Sequence, residues 1–543
     1  MIGTLSHPVS TRNKLAQQYF NQGLTFFYGF DAISAMQSFH EATEADSHLA
    51  MGYWGVALAA GGDLNIPIDD PCMKLAIAQT KLAIENAPSA SPAERLYINA
   101  IRKRYGLDVS SEPEKRDPAQ LSVPYMQDME TAWRQLFLDA KNPDPDVASL
   151  FAVSLMNLRP WLWWTTSGQQ SDEIKRALDV LRRGLDEPQF KEHLGLNHFY
   201  IHAMEEAPVA AAVQAALSSA DRLMRLAPER TPHLRHMPAH IYLLAGDWTD
   251  VVNANKRAVA ADEWWKDQCS NGSGPHCNPL LVGHYRSHDL LFLGVGLSNQ
   301  GVWKPVRIAA EATEANALPF LKNQPGLEHY LTTRVMMATH FGQWSYIRSI
   351  PPPQRPMPNP GAHDYCKRLA RSLETAMWYF GQTMADAATG APTTNGLYAF
   401  NMASGCASSG VGWGNNTANA ILVVVHWRLL ARIAQAEGKP DEAIEYARLS
   451  VETEDLLNYD EPPGWYISSR EALGAALFRA GKFTEAQKVF EQDLALHRNN
   501  ARSLFGRWQC LIRQRLPRPD IQKAERDFRA QWLNPALPSM EDM

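Results

Sequence analysis

Along almost the whole chain apolar residues recur at spacings of three and four, with Gly, Pro and Asp at turn intervals, which predicts helices joined by short connections. Nowhere does period-two alternation run long enough to predict a sheet. The helical pattern also repeats. "GKPDEAIEYARLSVETED" from Gly438 and "GKFTEAQKVFEQDLALHRN" from Gly481 share a G-K-x-x-E-A core, 43 residues apart. "FDAISAMQSFHEATEADSHLAMGYWGVALAAG" from Phe30 and "AGDWTDVVNANKRAVAADEWW" from Ala245 read the same way. In each, a small residue falls where one helix would lean on its partner, and an apolar position after it would face the next pair.

The expected fold class is all-α, a superhelical array of degenerate TPR-type helical hairpins (an α-solenoid), because hairpins of this kind bury their apolar faces only by stacking. The offset exceeds the usual repeat of about 34 residues, so lengthened helices or loops are expected. Three segments are anticipated: 1–349, an N-terminal array with a histidine-rich centre; 350–417, a Pro/Gly-rich connecting region with a helix; and 418–543, a C-terminal array, together one continuous superhelix. Residues 107–124 are less regular, and the proline run "IPPPQRPMPNPG" at 350–361 is the best candidate linker. The Gly-, Ser- and Asn-rich stretch 389–417 is long enough to predict a mobile loop or a lid.

Composition narrows the function classes. With 45% hydrophobic and 20% charged residues the chain can bury large cores, and a net charge of −6 gives no reason to expect nucleic acid or an anionic membrane as partner. The longest apolar run, "AILVVVHWRLL" at 420–430, is too short to span a bilayer and is broken by His426 and Arg428. The opening "MIGTLSHPVSTRNK" has no basic segment followed by an apolar run, so a cytoplasmic location is the default expectation. Six scattered cysteines predict buried, reduced fillers rather than a disulfide framework; Cys269 and Cys277 are the nearest pair, and whether they join stays open.

Histidine placement changes the picture most. Nine of the seventeen histidines fall between His193 and His288. In "NHFYIHAMEEAP" (197–208) a helical rotation of about 100° per residue puts His198, His202 and Glu205 on one face, the spacing that lets two imidazoles and a carboxylate converge on one ion. The alternative is a polar stripe of satisfied core histidines. In "HLRHMPAHIYLLAGDW", Pro238 predicts a helix beginning near it, with His236 in the turn before and His240 just inside; His233 is expected only at the surface or at a cap. His284 and His288 precede an apolar helix, and His288 is the favoured ligand of the two. Clusters near 200, 238 and 286 stand about one repeat apart and would line a common wall. The expected metal set is therefore His198, His202, Glu205, His236, His240 and His288, and the donors suit Fe, Cu, Mn, Zn or Ni better than Mg or Ca.

These segments carry a resemblance. "NQGLTFFYGFDAISAMQSFHEA", "SPAERLYINAIRKRY", "DVASLFAVSLMNLRPWLWW", "NHFYIHAMEEAP", "HMPAHIYLLAGDW", "YDEPPGWYISSREALGAAL" and "NNARSLFGRW" are similar, in this order, to segments of a group of bacterial tetratricopeptide-repeat proteins with NHxYIHAxE, HMPxHI and YxEPPxW motifs. The resemblance implies a helical-repeat fold and places the histidines named above in the group's most recognisable motifs, without implying an activity. At Ser468 the group more often has proline, which concerns the turn beside Arg470.

Two aromatic segments complete the candidate chemistry. In "YDEPPGWYISSRE" the residues Glu461, Trp465 and Arg470 could supply an acid/base group, an aromatic wall and an anion clamp, or simply a rigid turn between helices. Arg159 and Trp161 in "LRPWLWW", with Asn197 and Tyr200, are the remaining candidate pocket residues, and Glu205, Glu461 and Arg470 the candidate catalytic ones. No nucleophile elbow, phosphate loop or dinucleotide fingerprint is present. The expectation is a metal-dependent enzyme acting on a small organic molecule, oxidoreductase before hydrolase; the alternative is a scaffold that binds a peptide or partner protein without catalysis.

Overall fold

Phe39 and Phe490 show how the hairpins close. In the computed structural model each ring is fully buried between two glycines, Gly23 and Gly55 around Phe39, Gly474 and Gly506 around Phe490, and the spacing is sixteen residues on either side in both cases. A Cβ on Gly23 or Gly55 would stand 2.7 or 2.4 Å from the Phe39 ring, and on Gly474 or Gly506 2.6 or 2.3 Å from that of Phe490. Glycine is thus what lets three consecutive helices share one phenylalanine. This is the small-residue contact expected from the repeat, used identically at both ends of the chain.

The structure describes residue 3 and residues 5–109, 116–268, 281–353, 366, 371–407 and 411–543. Two compact units result, Met1–Ile241 with Arg257–Asn278, and Tyr242–Lys256 with Pro279–Met543. The first is built from α1 (Lys14–Phe27), α2 (Ala32–Ala45), α3 (Ala50–Ala59), α4 (Asp70–Asn86), α5 (Pro92–Arg104), α6 (Pro118–Trp133), α7 (Pro145–Met156), α8 (Asp172–Asp186), α9 (Leu194–Glu205), α10 (Val209–Leu226) and α11 (Pro232–His236). Helices α12 (Pro238–Ala245) and α13 (Trp248–Gln268) each divide between the units. The second unit continues with α14 (Arg286–Asn299), α15 (Trp303–Ala317), α16 (Thr333–His340), α17 (Trp344–Ser349), α18 (Ser372–Thr389), α19 (Thr394–Cys406), α20 (Ala418–Ala436), α21 (Pro440–Glu454), α22 (Ser469–Arg479), α23 (Phe483–Leu496), α24 (Ala501–Arg513) and α25 (Arg518–Gln531).

Neighbours in sequence pack as neighbours in space, α1 on α2 on α3 and α20 through α25 in series, with second-neighbour contacts such as α1 with α3 and α22 with α24. That is the all-α helical-repeat architecture predicted from the pattern. Polar caps fix the helix starts: Asn13 accepts from Leu15 and Ala16 N–H, and Ser91 forms a reciprocal capping box with Glu94. The strands among the described residues are two residues each, β1 (Gly412–Trp413) and β2 (Asn416–Thr417), paired antiparallel.

Three expectations need correcting or placing. The stretch 389–417 is not a structureless loop: α19 occupies Thr394–Cys406, with Gly396 and Gly405 near its ends and the helix-compatible run Leu397–Ala403 between them, and the small ladder follows. Cysteines were expected to be reduced fillers, but Cys366 and Cys406 form a disulfide, their Cα atoms 5.4 Å apart. A sequence separation of 40 hides the pairing from any spacing rule; Cys510, buried and free, does fit the filler reading. Most of the proline-rich linker and the pair Cys269 and Cys277 lie outside the described residues.

Candidate metal centre

Every residue of α9 is buried, so its polar side chains must find partners inside the first unit. Its start is fixed by His193, whose ring accepts from Leu196 N–H while Nε2 lies 3.0 Å from Asp146. Asn197 is spent on the same local structure: its amide donates to the carbonyls of Lys191 and His193, both at 2.8 Å. One turn further on, His198, His202 and Glu205 face a common interior as the helical spacing predicts.

Against them stand the histidines of α11 and α12. His233 and His236, three apart, share a face of α11, and Pro238 opens α12 as expected, bringing His240 inward. The expectation that His233 is a surface or capping residue is wrong. Pro232 at the first position of α11 sets a turn that carries His233 inward, where it is 3% exposed and its Nε2 lies 3.1 Å from His198 Nε2. His198, His202 and His233 together offer three ring nitrogens within 4.8 Å of one another. His202 Nε2 is buried and has no hydrogen-bond partner among the described residues.

Glu205 acts behind this triad. One carboxylate oxygen lies 2.6 Å from His202 Nδ1 and the other 2.6 Å from His240 Nδ1. A carboxylate held on Nδ1 fixes the tautomer in which Nε2 keeps its lone pair, the outer-shell arrangement that orients a metal-ligating imidazole. Burial alone would push Glu205 up, but His240 and His202 outweigh it and hold the group at about 2. His198 and His233 are driven well below the ordinary histidine value, by burial first and then by the neighbouring imidazoles. Both are therefore neutral at neutral pH, the form that binds a metal.

Aromatic residues wall the cluster. Phe30 stacks on His202 (ring centroids 5.4 Å, 13° between planes) and on His233 (4.8 Å, 20°), and Trp161 presents its face or edge to His202 at 5.8 Å. Both sit in the left-handed backbone region, φ 54° for Phe30 and 58° for Trp161, which bulky residues avoid. Glu206 braces the Trp161–Trp164 turn by accepting from Trp163 and Trp164 N–H, both at 3.1 Å. Burial pushes the Glu206 carboxyl up to about 7 despite those bonds.

Arg159 is exposed, and Tyr200 accepts from Arg182 Nε at 3.2 Å. His288, Glu461, Trp465 and Arg470 belong to the second unit. There His288 packs half-buried against Phe292, Glu461 accepts from Tyr459 Oη at 2.6 Å, and Trp465 is buried edge-on to Phe380. Arg470 is paired bidentately with Asp455 at 2.8 and 2.7 Å. Ser468 caps α22: it accepts from Arg470 N–H and donates to Asp493 at 2.6 Å. Phe30, His233 and Glu206 were missed by sequence reasoning. Phe30 lies 168 residues before His198, a distance no local motif spans, whereas the three-residue spacing of His233 and His236 was a readable signal.

No protein-family profile matches the chain, and no curated protein is similar to it. Solved structures similar to it include yeast Tom70 (12% identity, 96% of this chain and 92% of that one, TM-score 0.30). Cut9 in the APC/C hetero-tetramer Cut9-Hcn1 is similar at 10% identity (98% and 95%, TM-score 0.27), and the P58(IPK) TPR domain at 12% (95% and 98%, TM-score 0.20). At TM-scores this low the likeness carries nothing about function. What the chain's own elements establish is an all-α helical-repeat protein, and among its described residues no helix is long and apolar enough to cross a membrane.

Proposed function

We propose that this chain houses a transition-metal centre on His198, His202 and His233 and uses it on a small organic molecule, with oxidation favoured over hydrolysis. The observation that carries the reading is the buried triad of ring nitrogens, one of them, His202 Nε2, left without a hydrogen-bond partner. Neutral imidazoles suit Fe, Cu, Mn or Zn. Such an ion with open positions supplies dioxygen chemistry if redox-active, or water activation if zinc. Glu205 orients His202, and Phe30 and Trp161 keep bulk water from the ring nitrogens. The Cys366–Cys406 disulfide supports an oxidising compartment over the cytoplasmic location expected from the sequence.

Elemental analysis of the untagged protein beside His202→Ala tests the reading. Metal bound in the parent and lost in the variant, at unchanged helicity, is expected. Stoichiometric metal in the variant, or none in either after anaerobic loading with iron, manganese, copper and zinc, would overturn it.

A second reading, a scaffold that holds a peptide or partner protein, draws support from the architecture: stacked hairpins present long, ridged surfaces suited to such partners. The two readings separate on one result, since a scaffold recovers its partner at stoichiometric amounts from metal-free protein.

A further inference from the structure

The histidines of the first unit fall into two sets rather than one. His198, His202 and His233 are close enough to serve one ion, and His236 and His240 are not members of that group among the described residues. Instead His236 Nε2 and His240 Nε2 face each other at 2.8 Å. Among the described residues, no group of three candidate ligand atoms within 4.8 Å of one another combines the two sets of imidazoles.

The spacing within each set is informative. With bonds of ~2.05 Å, the 3.1 Å between His198 and His233 subtends about 98° at a shared ion, and the 2.8 Å between His236 and His240 subtends about 86°. Both are angles that neighbouring ligands take in tetrahedral or octahedral coordination. Glu205 stands between the sets, one oxygen on His202 Nδ1 and the other on His240 Nδ1, each 2.6 Å away. It turns the Nε2 atom of a member of each set toward that set's partners. A carboxylate serving only the triad would have no need to hold His240.

From this arrangement we infer that the centre is dinuclear: a second transition-metal ion binds His236 and His240 through Nε2, and Glu205 is the positioning residue common to both ions. This rests on the proposed metal centre and goes beyond it. The bland account of the 2.8 Å contact is a hydrogen bond in which one imidazole donates to the other. That bond must break when the ion enters, since a ligating nitrogen cannot keep its proton. The donor's proton moves from Nε2 to Nδ1 of the same ring, so a neutral pair takes up the ion by a change of tautomer with no net proton released.

The experiment is a titration of the full-length, metal-stripped chain with Co(II) and, separately, Cu(II), read by bound metal per chain and by the visible spectrum. Three proteins are compared: the parent, the His198→Ala/His233→Ala double variant and the His236→Ala/His240→Ala double variant, with His236→Gln alone as the milder change should the second fail to fold. The inference expects two ions per chain in the parent and one in each double variant, or a lost second ion in His236→Gln, with helicity unchanged. One ion in the parent, kept when His236 and His240 are replaced, overturns the second position and leaves the proposed centre standing. No ion in the parent overturns both.

Discussion

Replacing Glu205 by Gln tests the orienting role most sharply. The amide is isosteric, and its oxygen can accept from one of the two Nδ1 atoms that now lie 2.6 Å from the carboxylate oxygens. Its NH2 must face the other, so a donor would meet a donor. That imidazole then has to move its proton to Nε2, the nitrogen directed at the ion, or leave Nδ1–H unsatisfied. Either outcome costs about 1–3 kcal/mol, the penalty of a buried polar group without its partner. Converted at 1.4 kcal/mol per tenfold, metal affinity should weaken about 5- to 150-fold, in the range of about 10- to 100-fold typical of lost outer-shell partners. The fold itself should be nearly indifferent, within about 2 kcal/mol, since removing a buried anion offsets the weaker bond. Competition for the ion against a chelator of known affinity, alongside urea denaturation of the metal-free proteins, separates the two quantities. Unchanged affinity in a folded Glu205→Gln protein would refute the orienting role.

Four further outcomes are expected. Phe30 has φ 54°, so with the ring gone in both cases Phe30→Gly should be about 1 kcal/mol more stable than Phe30→Ala in urea denaturation; the ordinary order, alanine ahead, would show that the backbone carries no strain there. Burial lowers His7, but its hydrogen bond to Asp146 at 2.8 Å and the charges of Asp146, Asp144 and Glu94 raise it to about 9, so its contribution is complete below pH 6.5 and is lost as pH rises through 9. Melting temperature should fall between pH 6.5 and 9.5 by an amount reflecting on the order of 3 kcal/mol at most, and the fall should shrink in His7→Gln; equal falls in both would exclude this pair as the cause. Ser468→Ala removes a cap and a bond to buried Asp493, a loss of about 1–3 kcal/mol by urea denaturation, and a change under 0.5 would contradict it. Peptide mapping without reductant should recover Cys366 linked to Cys406; two alkylated thiols there would show the bond does not form.

How much could be read in advance follows from the range over which each signal acts. The helical hairpins were legible because their signal is local: apolar spacing, caps and the G-K-x-x-E-A turns act within one or two repeats. The four-residue step from His198 to His202 and the proline before α12 were equally local, and both predicted the geometry found. His233 was misplaced because the residues around Pro232 say where a short helix starts but not which way it faces. Phe30, Trp161 and the Cys366–Cys406 bond depend on contacts between distant segments. The role of Glu205 was half visible. Its helical phase put it beside the histidines, whereas its second partner, His240, comes from another helix.

A hairpin array has no structural need for the features that meet at His202. Helix α9 is buried on every side, a place where leucine and alanine would pack without any requirement for partners, and it carries two histidines and a carboxylate there. Around them the chain keeps two aromatic residues in the left-handed region, Phe30 and Trp161, at a cost of about 1–3 kcal/mol each. Four non-glycine residues with positive φ are found among the described residues, and two of the four touch the same imidazole. Glu205 compensates part of the polar burial by bonding His202 and contacting His240, but it leaves His202 Nε2 with nothing to bond. Each buried polar atom left unpaired subtracts stability, and this one lies where two other imidazoles converge. Under the proposed metal centre, the unsatisfied nitrogen, the strained walls and the carboxylate behind them share one account: an ion in front of His202 Nε2 takes the lone pair that no protein group takes.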